Sequence, residues 1–97
     1  MKLYYSAGSP YVRKVSVLAI ETGLDARIER IPVALSPVKV TAELAAHNPL
    51  MKIPTLVTDD GLDLYDSPVI CEYLDTLHSG TPLVPRAGPL RWRALRL

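Results

Sequence analysis

The sequence predicts one α/β domain built on a mixed four-stranded sheet, and three observations carry that prediction. A strand pattern, a helix pattern and a second strand pattern follow one another in the first third of the chain, an order that implies a parallel pair joined by a right-handed crossover. Asp59-Asp60-Gly61 stands between two brief apolar stretches, a strong signal for an antiparallel hairpin. Two Ser-Pro pairs, Ser9-Pro10 and Ser67-Pro68, mark helix starts, because serine caps free backbone N–H groups and proline at the first helical position loses no hydrogen bond.

Each element follows from its own residues. Lys2 to Ser6 reads as a strand on Leu3, Tyr4 and Tyr5, ended by the turn-prone Ala7-Gly8. The first helix then starts at Ser9-Pro10, repeats Val12, Val15, Ala19 and Thr22 at helical spacing, and stops at Gly23. Asp25 to Val33 alternates Ala26, Ile28 and Ile31 with Arg27, Glu29 and Arg30, which predicts a second strand. Leu35 to His47 suggests a short or irregular helix on Val38, Val40, Leu44 and Ala45, closed by Asn48-Pro49. Pro54 to Thr58 and Leu62 to Tyr65 form the hairpin, and Val69, Ile70, Tyr73, Leu74 and Leu77 make the apolar stripe of a helix ending before Gly80. Residues 1–78 are therefore expected to form the domain. Residues 79–89, with Gly80, Pro82, Pro85, Gly88 and Pro89, read as an interdomain linker, and residues 90–97 as the first turns of a helical C-terminal domain otherwise absent from the chain, or of a shortened relative of a longer protein.

Composition narrows the function. A 97-residue domain buries roughly 60–65% of the surface of its unfolded chain, enough for one modest core. The net charge of +1 gives no field that would draw in nucleic acid or an anionic bilayer, and the tail arginines Arg91, Arg93 and Arg96 read as the wet face of a helix. The lone cysteine, Cys71, has no internal disulfide partner and lies in an apolar helix stripe, so an inert core thiol and a reducing, cytoplasmic location are expected. His47 and His78 have no metal-ligand spacing and read as surface or helix-end residues; no metal is expected.

The strand–helix–strand, hairpin–helix order, with serine opening the first helix and Ile53-Pro54 before the third strand, is a thioredoxin-like plan. SPYVRKVSVLAIETGL (Ser9–Leu24), NPLMKIPTLV (Asn48–Val57) and DSPVICEYLD (Asp66–Asp75), followed by LVPR at 83–86, resemble in order and spacing the N-terminal domain of bacterial soluble glutathione S-transferases. The resemblance covers essentially the whole chain. It implies a β-α-β-α-β-β-α domain that binds reduced glutathione as co-substrate, activates its thiolate for conjugation to an electrophilic small molecule, and forms a homodimer when full length.

The same resemblance implies the site. Ser9 stands where related enzymes hold the glutathione sulfur, with plain capping as the bland alternative; Tyr5 resembles a position from which other classes present a tyrosine hydroxyl, but an aromatic in a strand is more often core. Asp66 would pair with the γ-glutamyl ammonium while Ser67 and its N–H hold the adjacent carboxylate, where the bland reading has Ser67 capping Pro68. Pro54 resembles the family's cis-proline, turning the Ile53 main chain toward ligand, and Lys52 and Lys39 would meet the glycyl carboxylate. Met51 departs from the family, which commonly has glycine there. The absence of cysteine at position 9 argues against thiol–disulfide oxidoreduction. The rival reading is a non-catalytic thioredoxin-like glutathione-binding or interaction module.

Overall fold

A computed structural model describes residues 1–33, 44–48 and 53–96. Strand β1 (Lys2–Tyr5) leads into helix α1 (Pro10–Glu21), a 3-10 turn (Asp25–Arg27) and strand β2 (Glu29–Pro32). Strands β3 (Thr55–Val57) and β4 (Asp63–Leu64) form the hairpin, followed by helices α2 (Ser67–Asp75) and α3 (Pro89–Leu95). The sheet order is β2-β1-β3-β4, with β1 parallel to β2 and antiparallel to β3, and β3 antiparallel to β4.

The strand period of two sends neighbouring residues to opposite faces. Leu3 and Leu56 join Val15, Leu18, Ala19, Ile70, Cys71 and Leu74, so α1 and α2 cover one face of the sheet. On the other face the Tyr4 ring lies 5.8 Å from the His47 ring, and Asn48 Nδ2 donates to Thr55 Oγ1 at 3.0 Å. Among residues 44–48, 44–47 are helical; the rest of the expected 35–47 helix lies outside the described residues, as do Lys39, Met51 and Lys52.

Helix α1 is closed at both ends by its own chain. The Ser9 hydroxyl accepts the Val12 N–H at 3.3 Å. At the far end Gly23, with φ of 76°, donates to Ile20 and Leu24 donates to Ala19, the paired bonds of a glycine-terminated helix. Thr58 organises the hairpin turn: its buried hydroxyl donates to Asp60 at 2.6 Å and accepts the Leu62 N–H at 2.9 Å, while Gly61 takes a φ of 87°.

Three details depart from expectation. The predicted second strand begins later than Asp25, because Arg27 and Ile28 donate back to Leu24 and Asp25 and wind those residues into the 3-10 turn. The helix opened by Ser67 ends before Gly80 as expected, but at Asp75, short of Leu77, and its inward stripe holds Cys71 while Val69 is exposed. His78, expected at the surface or a helix end, stands past the end of α2 but is largely buried: its Nε2 lies 2.6 Å from Asp75, whose carboxylate also accepts the N–H groups of Leu83 and Val84. Burial pushes the Asp75 carboxyl up, but these donors outweigh it and hold the group below its usual value. Burial raises the Cys71 thiol, as expected of a core cysteine.

Candidate functional site

The strand register brings three segments to one end of the sheet. β1 ends at Tyr5 opposite the end of β2 at Pro32, and the β1–β3 ladder closes at Tyr4–Thr55 where β3 begins. β4 runs back along β3 and delivers Tyr65 and Asp66 to that same edge. The start of α1, the Ile53-Pro54 peptide and the start of α2 therefore leave the sheet at one end, although they are distant in sequence.

The two helix starts differ in detail. Ser9 is the cap of α1 and Pro10 its first residue. In α2 the cap is Asp66 and Ser67 is already helical, so the bland expectation of Ser67 capping Pro68 is not what forms. Asp66 is exposed and its side chain makes no capping bond, whereas Ser67 is 3% exposed. The first intrahelical bond runs from Ile70 to the Asp66 carbonyl, which leaves the N–H groups of Ser67 and Val69 without a helical partner. Such donors, reinforced by the helix dipole, favour an anion.

Ile53 is half-buried beyond the end of the ladder, and its bond to the buried Pro54 is cis, as is the Tyr65–Asp66 bond. Tyr5 is half-buried and packs on the core cluster. Beside Ser9 opens a cleft of about 410 Å³ lined by Tyr5 to Pro10, Val12, Arg13, Ser16 and Arg30. Arg13 and Arg30 did not emerge from the sequence reading; the available signal was the four-residue step from Ser9 to Arg13, which stacks the two on one helix face.

No described helix is long and apolar enough to cross a membrane. No group of three or more His, Cys, Asp or Glu among the described residues is arranged to hold a metal ion.

Comparison with known proteins gives one consistent answer. Residues 8–77 match the family model "Glutathione S-transferase, N-terminal domain". An uncharacterised GST-like protein, YibF, of Escherichia coli K12 is 37% identical over 89% of this chain and 41% of its own length. A crystal structure of a glutathione transferase family member from Pseudomonas fluorescens Pf-5 with bound glutathione superposes with a TM-score of 0.86 at 52% identity, covering 95% of this chain and 45% of that one. A second structure of the Pf-5 family member, with bound S-(propanoic acid)-glutathione, gives 0.79 at 49% identity over 96% and 43% of the two chains. The chain thus spans less than half the length of each of these relatives.

Proposed function

The chain belongs to the glutathione S-transferase family, as a thioredoxin-like N-terminal domain, and from that premise we propose that it binds reduced glutathione along the edge where α1, Ile53-Pro54 and α2 begin. The observation that carries this reading is the unspent start of α2. A buried serine, two N–H groups with no acceptor among the described residues and an exposed carboxylate there suit the two charges of an α-amino acid. In this reading Asp66 meets the γ-glutamyl ammonium, and Ser67 holds its carboxylate. The Ile53 main chain pairs with the cysteinyl unit as a strand would, with Pro54 fixing its direction; Lys39 and Lys52 meet the glycyl carboxylate.

Ser9 completes the site at the sulfur. Its oxygen accepts the Val12 N–H, and its own hydroxyl proton remains available to donate. A donor and a helix start at the sulfur favour thiolate over thiol, and thiolate is the nucleophile. The full-length protein would then transfer glutathione to an electrophilic small molecule, as a cytoplasmic homodimer. The glutathione complex of the Pf-5 relative supports the ligand assignment.

Calorimetric titration of glutathione tests the reading. The chain binds at millimolar concentration or tighter, and Asp66→Ala and Ser67→Ala each weaken binding about tenfold, the loss of one charge-assisted hydrogen bond. A folded chain that binds no glutathione refutes the proposal.

A further inference from the structure

We infer that His78 is a proton-sensitive latch on the segment that leaves α2: neutral, it holds the Gly80 N–H, and protonated at Nδ1 it lets that N–H go. The geometry is a chain of bonds between the end of α2 and residues 78–84. Asp75 Oδ1 lies 2.6 Å from His78 Nε2 and accepts the Leu83 N–H at 3.0 Å, and Oδ2 accepts the Val84 N–H at 2.8 Å. On the other side of the imidazole the Gly80 N–H donates to Nδ1 at 3.2 Å. The His78 side chain is 9% exposed and that of Asp75 4%, so the pair sits largely out of water. A β-carbon on Gly80 would lie 3.3 Å from Nδ1, closer than ordinary van der Waals contact, so the missing side chain is what lets this backbone approach the ring.

The partners assign the tautomer. A backbone N–H can only donate, so Nδ1 carries no proton; an ionised carboxylate can only accept, so Nε2 carries one. The neutral Nε2–H imidazole satisfies both. A proton taken from solvent at Nδ1 sets N–H against N–H at Gly80, while the Nε2–H bond to Asp75 becomes charge-assisted. Acid therefore opens one bond of the chain and strengthens its neighbour, and the ties to Leu83 and Val84 stay. Imidazole is the side chain whose charge ordinarily changes between pH 5 and 8, and Asp75, held below its usual value, stays ionised across that range. The other charged groups nearby have different partners: Glu72 of α2 pairs with Arg91 of α3, Arg86 from the following segment shares a cavity with Asp75, and the charge of Lys14 on α1 reaches Cys71. The latch is independent of glutathione.

The test is a titration of the whole chain from pH 8 to pH 5 followed by nitrogen and amide-proton resonances. At pH 8 the His78 ring should show a protonated Nε2 and a bare Nδ1. As Nδ1 gains its proton, the Gly80 amide resonance should move with the same midpoint and its exchange protection, corrected for the intrinsic rate at each pH, should fall about fivefold, the loss of one hydrogen bond. Leu83 and Val84 should keep their protection. His78→Asn places an acceptor near the Nδ1 position that cannot titrate, so Gly80 should stay protected at both pH values. His78→Gln keeps a donor toward Asp75 without that acceptor, and Gly80 should be unprotected at both. His47→Gln should leave the wild-type response as it is. A ring protonated at Nδ1 at pH 8, or a Gly80 amide that does not follow the ring, overturns the inference on the wild-type chain alone. So does a release of Leu83 and Val84 together with Gly80, or the same pH response in His78→Asn as in the wild type.

Discussion

Helices α1 and α2 cover the same face of the sheet and both begin at a Ser-Pro pair, yet they solve their ends in opposite ways. α1 is closed by its own chain, with Ser9 capping the start and Gly23 turning the end. α2 leaves its first donors without an acceptor among the described residues and ties its end outward, through Asp75, to His78 and to the backbone of Leu83 and Val84. The contrast separates two uses of one signal. A helix start satisfied internally contributes stability, and one left unsatisfied at the surface is available to a ligand.

The largest effect is expected at the outward tie. Asp75→Ala removes a buried carboxylate with three donors and should cost about 2–3 kcal/mol in denaturant unfolding, because the donors of Leu83 and Val84 lose their acceptor. Its pH dependence has a definite sign. The folded-state carboxyl lies below its usual value, so the stabilisation is present above the ordinary carboxylate range and is lost as pH falls through the lower, folded-state value. Melting curves from neutral to acid pH should therefore show a steeper acid limb for the wild type than for Asp75→Asn.

Smaller effects follow at the ends of α1. Gly23→Ala forces a side chain into a left-handed conformation with open space around it, so the cost is that of the backbone alone, about 1 kcal/mol. Ser9→Ala should cost about 1 kcal/mol as a lost cap and also remove the sulfur's donor. Ser67→Ala is the counterpart and the smallest in stability, below about 0.5 kcal/mol, because Ser67 caps nothing. Equal losses of melting temperature in Ser9→Ala and Ser67→Ala would erase the distinction between the two starts.

Much of this was legible in the sequence, for physical reasons. The Ser9-Pro10 start, the Gly23 stop and the Asp59-Asp60-Gly61 turn are local chemistry, and each forms where its residues predict. Asp25 to Arg27 misled because alternation describes a strand only if a ladder partner exists, and the paired stretch of β1 extends no further back than Lys2 opposite Glu29. Leu77 continues the apolar spacing past the true end of α2, because the pair of Asp75 and His78 closes the helix two residues earlier. That pair, and the shared cleft of Ser9 and Arg13, depend on side chains meeting in space and leave only a faint trace in spacing.

The most direct test of the central claim is to follow backbone amide resonances of the chain as glutathione is added. Shifts are expected at one edge of the sheet only, at Ser9 to Arg13, Ile53 to Thr55 and Asp66 to Val69. The opposite edge, where the Met1 ammonium pairs with Asp59 at 2.8 Å, should stay unperturbed. Shifts centred on Met1, Arg27 and Asp59, or none at saturating glutathione, would contradict it.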